Sequence, residues 1–370
     1  MLAIALWIDV LVGGGPAPPQ VSSLLWHAQE MLFGFAGAAI AGFLLTSVPV
    51  WTGRPAVCGW RLAFLVGLWL AARLADFSAG VLASPWIPGL LDAAFFVALA
   101  LAISPALVAA RSRRNAAFPF LLLALAGASL ASHLEAAGSW HGSPGVGLRL
   151  GVGALVLLVS TLGGRLVPLF TAAALRRAGS SAEIARLRAA EVAAGPLLAA
   201  FVAVDSFAPD TTASGLLALL AALVLALRAK GWGLRGVLGD PLLWSMHVAL
   251  LWVPVGVAAL GIHALGGGLP RSLATHALTV GAIGGMILAV MSRVALGHTG
   301  RALRAPAGMA TAYLCILAAA ITRTLLWGLF PAARTTLLLV SAGLWITAFG
   351  IFLSVYTPIL WAPRLDGKPA

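Results

Sequence analysis

The sequence predicts an all-α, polytopic membrane bundle of about twelve spans with both termini cytoplasmic. Three observations predict it. Hydrophobic residues fill 61% of the 370 positions and charged residues only 9%, with a mean hydropathy of +1.02, a balance that an ordinary soluble domain does not carry. The apolar residues come in stretches of about 20, the length that crosses the hydrocarbon layer as a helix. The basic residues concentrate in alternate connections, as topology signals do.

The elements follow from the Pro, Gly and charged punctuation. Residues 1–12 (MLAIALWIDVLV) are apolar but too short to span, and they lack a positive n-region and a cleavage pattern. They read as a truncated first span. The next spans lie near 24–50, closed by Arg54, and 57–75, which carries Arg73. Those near 88–110 and 117–138 are separated by Arg111, Arg113 and Arg114. The span near 146–171 runs into Arg176 and Arg177, and those near 191–207 and 212–229 end before Lys230 and Arg235. The last four lie near 241–266, 271–296, 306–330 and 334–360, with Arg301 and Arg304 after 271–296 and Arg364 and Lys368 in the tail.

Numbering the truncated span as the first, sixteen basic residues lie in connections after even-numbered spans or in the C-terminal tail, against four after odd-numbered spans. That split places the even connections in the cytoplasm. It also explains the formal net charge of +12 without a nucleic-acid partner. The whole of 1–370 is then one transmembrane domain. Cys58 and Cys315 form no CxxC or CxxCH motif and read as packing residues.

Depth separates the histidines. At about 1.5 Å per residue, His276 and His298 lie roughly 33 Å apart on one span, and His247 and His263 roughly 24 Å apart on another. An outer group remains: His27, His263 and His276, with His133 and His141 beyond. Glu30, Asp76, Asp92, Glu135, Asp205 and Asp210 share that end. Ionisable residues within spans are costly and point to a functional interior. The stretch WHAQEMLFGFAGAAIAGFLLTSVPVWTGR (26–54) puts His27 and Glu30 on one helix face, where a carboxylate orients an imidazole or relays a proton, with Gln29 alongside. The plainer reading is a hydrated helix end. His133, Glu135 and His141 read as surface groups, and Arg165 and Arg293 as snorkelling side chains. A second, cytoplasmic-side group takes in His247, His298, Arg293 and Arg301; a loop histidine beside basic residues is more often solvated.

Small residues at a spacing of four line both 24–50 (Gly34, Ala38, Gly42) and 271–296 (Ala277, Gly281, Gly285, Ala289), suiting close helix contact. The two segments also echo each other, from His27-Ala28 to Thr52-Gly53-Arg54 and from His276-Ala277 to Thr299-Gly300-Arg301, as parallel repeats would.

Haem needs one or two imidazoles and a donor for its propionates. His27 and His276 are the axial candidates, His263 is a third imidazole, and Arg323 is a propionate partner. Copper accepts imidazole and thioether equally, which brings in Met31 and Met246. Spacing alone selects neither metal.

The strings at 26–54, GRLVPLFT, PLLWSMH, HALTVGAIGGMILAVMSRVALGHTGR and RLDGKPA resemble the NnrS family of bacterial membrane proteins over nearly the whole chain. The resemblance implies a twelve-span inner-membrane protein containing haem and copper and linked to nitric oxide metabolism and nitrosative stress. The family motif HxHEM stands here as His27-Ala28-Gln29-Glu30-Met31, so the second histidine is Gln29, a poor ligand, which weakens copper. Two function classes follow. One is a haem protein that binds nitric oxide at the outer histidines, with an electron donor that the sequence does not identify. The other is a transporter of a metal ion or small solute along the same His- and Glu-lined path.

Overall fold

A computed structural model describes residues 2–11, 13, 23–78, 86–139, 142, 145–180, 184–365 and 367; His141 lies outside them. Among the described residues all regular structure is helical. The helices are α1 (Leu2–Leu11), α2 (Ser23–Thr52), α3 (Trp60–Phe77), α4 (Ile87–Ala109), α5 (Ala117–Ala136), α6 (Val146–Arg177), α7 (Arg188–Phe207), α8 (Thr212–Ala229), α9 (Pro241–Ala264), α10 (Arg271–His298), α11 (Met309–Leu329) and α12 (Arg334–Trp361).

Ten of these are long and apolar enough to cross a membrane, namely α2 and α4 to α12. The other two make up the difference from the expected twelve. α1 has 10 residues, and the 18 residues of α3 include Arg61, Arg73 and Asp76, more charge than an isolated span tolerates. Leu101, Val108, Phe120, Leu216 and Leu353 are exposed on helices whose other faces bury Leu99, Phe118, Ala218 and Phe352. Large apolar side chains facing outward along span after span suit a lipid bilayer.

The described contacts group into two compact units, residues 2–158 with 205–208, and residues 159–204 with 209 onward. In the first, α4 packs along α5 and α3, and α2 lies against α4. In the second, α9 packs along α8 and α10, and α11 along α12.

One local device recurs. α2 is α-helical to Gln29, passes through a π-helical stretch at Glu30–Ala36, and returns to α geometry at Gly37. α10 does the same, with its π stretch at Ala277–Gly284 and its return at Gly285. The Gly37 N–H reaches Leu32 O and the Gly285 N–H reaches Val280 O, each five residues back. Such widened turns are uncommon and cluster at functional positions. Both helices finish at a left-handed glycine, Gly53 at φ 65° and Gly300 at φ 68°. The π stretches open 247 positions apart (Glu30 and Ala277), and so do the two glycines. This register supports the internal echo but shifts it by two residues: the partner of His276 is Gln29, and not His27. The reason is that 25 positions separate His27 from Thr52 but only 23 separate His276 from Thr299.

Candidate functional site

Each unit has a cluster of ionisable side chains at one end of its antiparallel helices. In the first unit that end joins the N-terminal parts of α2 and α4 to the C-terminal parts of α3 and α5. Arg73 and Asp76 are three residues apart and therefore share a face of α3. Arg73 Nη1 donates to Glu30 Oε1 at 2.8 Å, and Arg73 Nη2 donates to Asp92 Oδ1. Asp76 Oδ2 lies 3.9 Å from Arg73 Nη1. From α5, His133 Nε2 lies 3.2 Å from Asp76 Oδ1, and its Nδ1 lies 2.8 Å from the Ser129 carbonyl oxygen. Ser129 Oγ donates to Asp92 Oδ2 at 3.3 Å, and Gln29 Nε2 donates to Ser132 Oγ at 3.0 Å.

This cluster is interior: Asp92 is 0% exposed, His133 1% and Asp76 4%. Glycines make room for it. A Cβ at Gly34 would come within 2.5 Å of Arg73 Nη1, and one at Gly89 within 2.6 Å of His133 Cβ. Trp69 Nε1 donates to Gly34 O at 3.0 Å, tying α3 to the π stretch. Among the described residues, Asp76, Asp92 and His133 are the group whose donor atoms all lie within 4.8 Å of one another, close enough to hold a metal ion.

The sequence put Asp76 and Asp92 at the same end but missed their association, and it read His133 as a surface group. His133 is instead buried against Asp76, because its α5 face packs on α4 at Gly89. The readable signal was the i,i+3 and i,i+4 spacing of Arg73 with Asp76 and of Ser129 with His133. Glu135 caps a turn, accepting from Gly145 N–H at 2.6 Å.

His27, on the second turn of α2, stacks on Trp7 with ring centroids 5.4 Å apart. In the second unit, His276 and Arg323 converge on one residue. His276 Nδ1 lies 2.7 Å from Ser272 O, and Arg323 Nη2 donates to Ser272 Oγ at 3.0 Å. Arg323 sits in a third π stretch, Thr322–Leu326, and lies 4.8 Å over the Trp327 ring; its Nη1 is buried without a hydrogen-bond partner. His263 has both ring nitrogens engaged at the turn before α10, Nδ1 2.7 Å from Leu269 O and Nε2 3.3 Å from Asp210 Oδ1, which also accepts from Arg271 Nη1 at 3.1 Å.

At the opposite end of α9 and α10, His247 Nε2 lies 2.9 Å from Thr171 Oγ1, and Arg293 lies 4.3 Å over the Phe170 ring. Both dock on adjacent positions of α6. Arg293 is only 4% exposed, so it stacks rather than snorkels. Arg301 Nη1 donates to Thr299 O at 3.4 Å, and His298 closes α10 beside it.

A search of curated proteins found no match. The family model described as NnrS protein matches residues 1–364, essentially the whole chain just described, and the chain belongs to the NnrS family.

Proposed function

We propose that this chain is a haem-binding protein of the bacterial inner membrane, acting in nitric oxide metabolism and resistance to nitrosative stress, with the haem held at the N-terminal end of α10. The observation that carries the reading is the convergence of His276 and Arg323 on Ser272. The Ser272 carbonyl accepts from His276 Nδ1–H, which leaves Nε2 as the lone-pair nitrogen, the tautomer a metal-ligating imidazole needs. Arg323 presents Nη1 buried and without a hydrogen-bond partner, fitted to a propionate carboxylate. A bound haem would supply an iron able to take a diatomic ligand such as nitric oxide.

His27, with Glu30 and Gln29 alongside it on α2, belongs to the first unit, where it stacks on Trp7; it is a separate candidate imidazole there. His263 supports the site by fixing the turn before α10 through Leu269 and Asp210. Copper has a thinner basis, since Gln29 stands where the family motif carries its second histidine.

The test is the absorption spectrum of detergent-purified protein, oxidised, reduced, and reduced with nitric oxide, for the wild type and for His276→Ala, His27→Ala and Arg323→Ala. A Soret band that nitric oxide shifts, that His276→Ala abolishes and that Arg323→Ala weakens is the expected result. A band unchanged in His276→Ala removes α10 as the ligand source. A colourless wild type, expressed with ample haem, makes transport of a metal ion or small solute the leading function.

A further inference from the structure

We propose that Asp76, Asp92 and His133 form a non-haem site for one divalent cation of the zinc or manganese class, inside the first unit and independent of any haem. The argument starts with protons. The Ser129 carbonyl can only accept, so the 2.8 Å contact puts a hydrogen on His133 Nδ1. A neutral ring then turns the Nε2 lone pair toward Asp76 Oδ1, itself an acceptor, 3.2 Å away. The contact is satisfied either by a second proton on Nε2 or by a cation between the two acceptors.

Charge favours the cation. Glu30, Asp76 and Asp92 supply three carboxylates, and Arg73 is the single guanidinium among them. With the three carboxylates ionised, a second ring proton still leaves one formal negative charge, and a neutral imidazole leaves two, in the interior of a membrane protein, where unpaired charge is strongly disfavoured. One divalent ion cancels them.

Asp76 Oδ2 supplies an observation separate from this count: it is buried, lies no closer than 3.9 Å to Arg73 Nη1, and makes no hydrogen bond. The donor atoms fall within 4.8 Å of one another, and since ligands at roughly 2.0–2.2 Å around one ion lie at most about 4.4 Å apart, a bound ion would draw them slightly together. The imidazole is held in the manner of a metal ligand, by Nδ1–H to a backbone carbonyl and by close packing on Gly89. One nitrogen and several carboxylate oxygens suit zinc or manganese, and not cuprous copper, which favours sulfur donors.

The experiment uses the full chain in detergent, stripped with a chelator and reloaded with zinc chloride or manganese chloride alone. Bound metal is counted after gel filtration, and the Soret band is read in the same samples. The wild type is expected to retain about one metal per chain, and Asp92→Asn and His133→Gln less than about a tenth of that, with the Soret band unchanged. X-ray absorption of the zinc-loaded wild type is expected to show nitrogen and oxygen neighbours near 2.0–2.1 Å and no sulfur; it decides the matter if the variants do not fold. A wild type that holds no metal, retention unaltered in both folded variants, or sulfur ligation overturns the proposal, and protons are then the neutralising charge. Loss of the Soret band with zinc retained counts against the haem reading alone.

Discussion

Arg73 and Arg323 occupy matching places in the two units, each near the C-terminal end of the helix that follows a π-interrupted one. They meet opposite surroundings. Arg73 faces Glu30, Asp76 and Asp92, so its charge is more than matched by its neighbours. Arg323 faces a serine hydroxyl and the Trp327 ring, which Arg334 approaches from 4.5 Å, and it keeps Nη1 without a hydrogen bond. One backbone device therefore carries two chemistries. The cluster around Arg73 has surplus negative charge, suited to a cation; the surroundings of Arg323 have surplus positive charge, suited to an anionic group such as a propionate. A buried arginine is informative about ligands only once its carboxylates have been counted.

The largest effect expected from this contrast is on stability. Arg73→Leu strands three carboxylates, two of them buried, and should cost about 3–5 kcal/mol, seen as loss of the monodisperse peak or a large drop in thermal midpoint. Arg323→Leu strands none among the described contacts and gives up a hydrogen bond worth about 1 kcal/mol, so the protein should survive while haem retention falls. Equal destabilisation by the two would break the comparison.

A smaller effect comes from making the first unit resemble the second. Gln29→His places an imidazole at the position that the shared register pairs with His276. It should raise copper retained per chain, measured by elemental analysis, and cost about 1 kcal/mol through the altered contact with Ser132. Unchanged copper content would mean that position 29 does not face a metal.

The smallest effect is that of Ser272→Ala. It removes the hydroxyl that receives Arg323 but leaves the carbonyl that orients His276. The Soret position should hold while haem dissociates several-fold faster, a loss of about 0.5–1.5 kcal/mol. A shifted Soret band would show that the hydroxyl, and not the carbonyl, sets the imidazole.

Hydropathy and punctuation were enough to place the helices, because a helix crossing lipid must be apolar along about 20 residues whatever its neighbours are. The composition of α3 was legible as well, with Arg61, Arg73 and Asp76 on a helix of 18 residues. What one helix alone could not disclose was that Arg73 and Asp76 find Asp92 on α4 and His133 on α5. Spacing along the chain ranks depth; it carries no information on which faces of different helices meet.

Sequence by itself determined the all-helical membrane class, the family, and the two histidine-bearing helices α2 and α10, since these rest on local composition and short motifs. Tertiary structure alone decided that His133 is interior, that His276 and Arg323 share Ser272, and that the echo between α2 and α10 runs through Gln29. Those outcomes depend on helix packing and on π turns, which shift the angular register of every side chain beyond them by a fraction of a turn that residue counting does not reveal.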